Sequence, residues 1–379
     1  MFRLERIELF DLTLPLLEPF IISGGAMRER RSIVAVLHDG EGAVGYGEAP
    51  PFELPFYSEE TLAGARDLLG RVLVPRLAGR SFAGPAAVDE ALRAGIRGNP
   101  FARAALETAA WDLEADRRNV GLADLLAAET AESSAERIPC GVALGIPADQ
   151  RAETLAARVA DAVEHGYRRV KIKVMPGWDA EPVAAARTAL GRSGLPLTVD
   201  ANGAYEWPAH ETALRRLDDA GLLYIEQPLA PDELLGHVDL TARFRTPICL
   251  DETLRDARAA RQIQALHGPR VWNIKVHRVG GLTEVCRIYR IAREHGATLW
   301  AGTMPESGLG SQAALAAASL PGFTWPSDLE PSARWFGRGT DVIELTMDGD
   351  GMMSVPRRSV RHLLDRDRFA AAASPIEVS

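Results

Sequence analysis

The chain has 379 residues, 46% of them hydrophobic and 25% charged, a composition that supports a large buried core and excludes a disordered protein. Its formal net charge of -9 leaves no concentrated basic surface for nucleic acid, and small clusters such as Arg28, Arg30 and Arg31 do not change that. A barrel of roughly 200 to 250 residues plus a smaller domain fits this length.

The first residues, MFRLERIELFDLTLPL, place charges among their apolar residues, so neither a signal peptide nor a membrane span is expected. Cys140, Cys249 and Cys286 are widely spaced in apolar contexts and read as reduced core thiols, which points to the cytoplasm. IELFDLTLPL, SIVAVLHD and AVGYGEAP alternate in the strand manner, with turn chemistry at Ser23-Gly24-Gly25 and Asp39-Gly40, and predict an antiparallel meander. From Ser58 to about Leu126 the pattern turns helical and alanine-rich. Within it, FARAALETAAWDLEAD aligns Ala105, Ala109, Trp111 and Leu113 as one buried stripe. Residues 1–130 therefore read as an α+β domain.

After a polar stretch from Glu129 to Glu136, amphipathic helices alternate with strands near 138–145, 168–174, 196–202, 222–228, 246–252, 271–276, 297–303 and, more weakly, 323–327. About eight such units predict a parallel sheet closed into a barrel over residues 137–340. Beyond it, DVIELTM reads as a strand and DGDG as a turn before a charged, helix-like end. This tail, 341–379, is expected to pack back on the first domain.

Five of the apolar runs deliver a charge at or near their C-terminal end. They are RRVKIKV with Lys171 and Lys173, PLTVDAN with Asp200, LLYIEQP with Glu226, PICLDE with Asp251 and VWNIKV with Lys275. A charge where a buried strand emerges is costly unless it is paired or coordinates a metal. Neighbouring strands of a barrel bring the three carboxylates together at its C-terminal mouth. An oxygen-only set selects a hard cation, Mg²⁺ first and Mn²⁺ second. Lys171 and Lys173 share a strand face beside it, where positive charge favours the neutral, basic amine needed to abstract a proton. Asn202 and Glu252 are placed to orient metal-bound water or the lysines. Salt bridges at a barrel rim and a solvated strand end are the bland alternatives, and the ordered series in apolar runs weighs against both.

With Lys-x-Lys at 171–173, Asp200-Ala-Asn202, Glu226-Gln-Pro228, Asp251-Glu252 and Lys275 in this order, the chain resembles the enolase superfamily over nearly its whole length. The branch is that of muconate lactonizing enzymes, o-succinylbenzoate synthases, N-succinylamino acid racemases and dipeptide epimerases. The segment AGTMPESGLGSQAALAAASLPGFTWPSDLEPSARWF is similar to o-succinylbenzoate synthases with racemase-like sequences. Lys275-Val-His-Arg278-Val-Gly-Gly resembles a Lys-Pro-Gly-Arg-Val-Gly-Gly of enzymes combining both activities, with Val276 and His277 replacing Pro and Gly and Pro305 replacing a usual Leu.

The resemblance implies a (β/α)7β modified TIM barrel with an N-terminal α+β capping domain. It implies an Mg²⁺-dependent synthase of menaquinone biosynthesis, dehydrating a cyclohexadiene carboxylate through lysine abstraction of the proton alpha to a carboxylate, with racemisation of N-succinylamino acids as a second activity. Lys173 would be the base, Lys275 would stabilise the enolate or serve as the base on the opposite face, and Lys171 would add charge beside them. Arg278, Gly302, Met304, Glu306 and Ser307 are expected to contact substrate, as are the cap-loop residues Phe20, Ile22, Phe56 and Tyr57. His277 reads equally as rim structure. The partner expected is a small carboxylate, with a homo-oligomer and no membrane or nucleic acid. Alternatives are a dipeptide epimerase, whose Asp-x-Asp pair is only approximated by Asp328-Leu-Glu330, a muconate cycloisomerase, and an inactive metal-binding scaffold.

Overall fold

A computed structural model of the chain describes residues 1–22 and 25–377, so Ser23 and Gly24 of the expected turn lie outside the described residues. Strands β1 (Phe2–Ile22), β2 (Gly25–Asp39) and β3 (Val44–Ala49) form the antiparallel meander. Their period of two supplies two cores. Leu9, Ile33, Ala35 and Leu37 face the domain's helices, while Leu12, Leu14, Val34 and Val36 face the C-terminal segment. β4 (Ser81–Phe82) pairs with the start of β1.

The helix Pro100–Arg118 is buried throughout from Phe101 to Ala115, which corrects the reading of a single apolar stripe. Ala105, Ala109 and Leu113 join the core of the first domain, and Trp111 joins that of the barrel. The helix is sandwiched, so it has no solvent face. Two glycines of β3 let it approach: a Cβ on Gly45 or Gly47 would lie 2.1 Å from the carbonyl oxygen of Ala109 or Ala105.

β5 (Arg137–Pro139) leads into seven parallel strands in sequential order. These are β6 (Gly141–Leu144), β7 (Arg169–Lys173), β8 (Leu197–Asp200), β9 (Ile225–Glu226), β10 (Ile248–Leu250), β11 (Val271–Ile274) and β12 (Thr298–Ala301). Helices cross between them, as a parallel sheet requires. The eighth unit is reduced to single bridges, Leu299 with Phe323 and Cys140 with Ser327, which join β12 back to the start of the sheet. Val170, Ile172, Val199, Ile225, Leu250 and Trp272 point to the helices, whereas Tyr224, Cys249, Val271 and Trp300 fill the interior.

DVIELTM is not a strand. Val342, Ile343 and Leu345 are buried in irregular chain, and the pairing in this region falls to β13 (Met352–Ser354) on β5. β14 (Ala373–Ile376) then pairs with β1, which returns the tail to the first domain. The two domains are tied by Glu107, whose carboxylate accepts hydrogen bonds from the Leu282 and Thr283 amides, both at 2.7 Å, at the start of the helix Leu282–His295. Among the described residues no helix is long and apolar enough to cross a membrane.

The contact between β3 and the helix predicts that Gly47→Ala costs about 3 kcal/mol, because backbone rather than a flexible side chain stands in the way. Gly70→Ala, with nothing within 4 Å, should change stability little. Urea midpoints of the two variants check this, and equal midpoints would refute it.

Candidate active site

The register of the sheet sets Lys173 beside Asp200 and Asp200 beside Glu226 at one level of the barrel mouth. Asp251 follows β10 two residues beyond Cys249, which is itself paired with Glu226. Asp200, Glu226 and Asp251 are all buried, and each offers a carboxylate oxygen within 4.8 Å of the other two. Three like charges at that spacing repel strongly at low dielectric. Burial, and then the charge of Asp200, push the Glu226 carboxyl up to about 7. Burial would raise Asp251 as well, but Lys275 and Arg278 outweigh it and hold that carboxyl below its ordinary range. The donor set, oxygen-only and convergent, fits a hard divalent cation that would relieve this repulsion.

Around the trio stand the expected lysines, each held differently. Lys171 donates to Asp328 at 2.6 Å and to Glu226 at 3.0 Å, lies 3.6 Å from Asp200, and sits over the Trp300 ring at 4.7 Å. Burial works against its charge, yet Asp328 and the other two carboxylates raise its affinity for the proton well above the ordinary. Lys173 donates to Asp200 at 2.6 Å and to the Asn202 side-chain oxygen at 2.8 Å. Lys275 donates to Asp251 and to the Tyr57 hydroxyl, both at 3.0 Å, and lies 4.5 Å from the centre of the Tyr57 ring. Lys173 and Lys275 thus flank the trio at its two outer carboxylates. Asn202 bonds Glu252 at 2.9 Å, so these two residues form a brace beside Lys173.

All three lysines line a cavity at the barrel mouth, which Phe20, Ile22, Phe56 and Tyr57 of the first domain also line. Met304 lines it too. The other residues expected to touch substrate have partners within the protein. Arg278 forms an ion pair with Asp251 at 2.7 Å and donates to the Asn273 carbonyl at 2.8 Å. Gly302 lies against the Asn273 side chain, where a Cβ would be 2.4 Å from its oxygen, and this lets Asn273 donate to Glu226 at 2.7 Å. Ser307 bonds Glu48 between the domains, and Glu306 accepts from the Met304 amide at 2.6 Å. Burial pushes Glu306 up to about 7, and its second oxygen is 3.8 Å from His277, whose burial lowers it to about 3.

Asn273 and Arg169 are inward residues that sequence reasoning missed, and Asp328, weighed there only as half of an approximate Asp-x-Asp pair, is bound by Lys171 and Arg169. Asp328 ends the weak eighth run, TWPSD, so the rule of a charge at a strand end applied to it as well. Asn273 and Arg169 carry the inward parity of Lys275 and Lys171.

Comparison with known proteins agrees with this arrangement. Residues 154–359 match the family model described as enolase C-terminal domain-like, and residues 6–127 match the N-terminal domain of mandelate racemase / muconate lactonizing enzyme. An N-succinylamino acid racemase of Thermus thermophilus is 42% identical across 93% of this chain and 92% of its own. An o-succinylbenzoate synthase of Bacillus subtilis is 35% identical across 94% and 93%. The crystal structure of an unknown member of the enolase superfamily from Enterococcus faecalis superposes with a TM-score of 0.88 over the full length of both chains at 35% identity.

The trio predicts uptake of one divalent cation per chain. At a hundredfold excess over Kd this should raise unfolding stability by about 2.7 kcal/mol, reversed by chelator, and Asp200→Asn should abolish the effect. Thermal unfolding with and without Mg²⁺ checks it; an unchanged midpoint for the wild-type chain would count against a cation site.

Proposed function

The chain belongs to the enolase superfamily, in the group of mandelate racemases and muconate lactonizing enzymes, and on that premise we propose that it is an Mg²⁺-dependent o-succinylbenzoate synthase that also racemises N-succinylamino acids. The observation that carries this reading is the pair Lys173 and Lys275, both lining the cavity and flanking three buried carboxylates. Relatives bearing each of the two names align over nearly the whole chain. The three buried, unpaired thiols support a cytoplasmic setting.

Asp200, Glu226 and Asp251 would hold the Mg²⁺, which supplies stabilisation of the negative charge that gathers on the substrate carboxylate. Lys173, with a single carboxylate partner and an amide, takes the proton alpha to that carboxylate. In the dehydration of the 2-succinyl-6-hydroxycyclohexadiene carboxylate it returns the proton to the departing hydroxide. One C–H and one C–O bond break, the ring becomes aromatic, and water leaves. Lys275 supports the same step as a cation. Lys171, gripped by three carboxylates, stays charged and adds field without exchanging a proton. In racemisation Lys173 and Lys275 exchange protons with the alpha carbon from opposite faces.

The dipeptide epimerase reading needs a free acid for the substrate ammonium. Asp328 is instead bound by Lys171 and Arg169, and Glu330 is bound by Arg334 and the Ala143 amide. Both candidates are already engaged.

Lys173→Ala is expected to lower dehydration at least about 10³-fold with an unchanged circular dichroism spectrum, given what one positioned acid/base contributes. Lys275→Arg keeps the charge but is too basic to exchange a proton, so racemisation should disappear while exchange of one enantiomer's alpha proton in D₂O survives. Assays of the cyclohexadiene acid, N-succinylamino acids and dipeptides side by side decide the reading. Turnover confined to dipeptides would overturn it.

A further inference from the structure

Two carboxylates of the trio stand on strands, Asp200 at the end of β8 and Glu226 at the end of β9. Asp251 does not. It follows β10, in a turn closed by the Leu254 amide on the Asp251 carbonyl at 3.0 Å. Up to that turn the ladder of β9 and β10 is regular, with the Ile225 amide on the Pro247 carbonyl at 2.9 Å and the Gln227 amide on the Cys249 carbonyl at 2.8 Å. The next bond of a parallel ladder would take the Asp251 amide onto the Gln227 carbonyl. Gln227 has a positive φ of 38°, and its carbonyl accepts instead from the Gly203 amide, at 2.8 Å, in the loop after β8.

The Gln227 side chain takes over the missing acceptor. Its Oε1 accepts from the Asp251 amide at 3.0 Å and from the Thr253 amide at 3.2 Å. Its Nε2 donates to the Leu229 carbonyl at 2.9 Å and to the Thr253 hydroxyl at 2.8 Å. A reversed carboxamide would set N–H against N–H at Asp251 and Thr253, so its partners fix its orientation. The side chain is fully buried. A left-handed backbone at a residue other than glycine is strained and persists only where its surroundings over-determine it. Here one residue ties together the turns after β8, β9 and β10, which adjoin the three carboxylates.

We propose that Gln227 is a positioning residue that sets the distance of Asp251 from Asp200 and Glu226, and so fits the trio to Mg²⁺ in preference to the larger Ca²⁺. The inference rests on the cation site of the function proposed above. Mg²⁺ demands near-ideal octahedral geometry at about 2.0–2.1 Å, whereas Ca²⁺ accepts a flexible shell at about 2.3–2.6 Å, so a loosened carboxylate penalises Mg²⁺ first. A residue that served only stability would weaken both ions alike.

The test is calorimetric titration of the wild-type chain, Gln227→Met and Thr253→Val with Mg²⁺ and with Ca²⁺. Gln227→Met keeps the length of the side chain and removes its hydrogen bonds; it should weaken Mg²⁺ about 10–100-fold and Ca²⁺ by a smaller factor. Thr253→Val removes one acceptor and should shift the Mg²⁺ to Ca²⁺ ratio in the same direction by less. An unchanged ratio in Gln227→Met, or a loss as large for Ca²⁺ as for Mg²⁺, would overturn the assignment and leave the proposed function standing. Should Gln227→Met not fold, Thr253→Val decides by the same criterion. A wild-type chain that takes up neither ion would overturn the cation site along with the inference.

Discussion

Compensation of charge in a buried space governs this molecule. Asp200, Glu226, Asp251 and Asp328 are buried at one mouth of the barrel, interlocked with Lys171, Lys173, Lys275, Arg169 and Arg278. Removing one member of such a set leaves its partner uncompensated, typically at a cost of about 3–5 kcal/mol, whereas an apolar replacement of the whole set would be tolerated by the fold. The network is therefore a poor device for stability and a good one for chemistry. It also demands a rigid frame. The direct pairing of Lys173 with Asp200 and of Asp200 with Glu226 across β7, β8 and β9 fixes the spacing, since a slip of one residue would turn these groups toward the helices.

The first domain contributes to the site through the end of β1 and the start of β2 and through the loop after β3, and several contacts set that loop's position. Arg30 is buried beneath it, bonded to the carbonyls of Pro50 and Pro51 and lying 5.5 Å from the Phe52 ring centre. Phe52 stacks on Phe56 at 4.7 Å. Beyond the loop, the Glu60 carboxylate caps the start of the helix Pro100–Arg118 through the Phe101 and Ala102 amides, both at 2.8 Å. A carboxylate is favoured there by the helix dipole, though burial pushes this one up to about 7. Between these anchors Tyr57 is carried to Asp251 and Lys275, so the sandwiched helix and the meander behind it determine where a hydroxyl lies in the site.

The order of charges along the chain made the barrel and its acidic trio legible, because a strand that is buried on both faces can present a charge only where it emerges. The same rule reaches Asp328 through the eighth run, but that strand is reduced to single bridges and its pattern is correspondingly faint. Arg278, Gly302, Glu306 and Ser307 were placed by proximity in sequence to the mouth. Within the protein their side chains, or the space a glycine leaves, serve Asp251, Asn273, the Met304 amide and Glu48, relations that depend on which element packs behind the strand end. DVIELTM has the alternation of a strand, yet Val342, Ile343 and Leu345 are buried outside any ladder and only Met347 makes a single bridge, to Met353, so alternation records burial before it records pairing. Trp111 faces the barrel rather than the first domain for a related reason: a helix enclosed by two domains has no polar face to mark its orientation.

The two flanking lysines differ in where their support comes from. Lys173 is held by Asp200 and Asn202, and Asn202 by Glu252, all residues of the barrel. Lys275 shares its contacts between Asp251 of the barrel and Tyr57 of the first domain, and the ring that covers it belongs to the loop after β3. The support of Lys173 is thus set by the barrel frame alone, and that of Lys275 by the frame and by the position of Tyr57 together. A reaction that needs a proton moved on one face draws on the frame; one that needs both faces draws on the packing of the first domain as well.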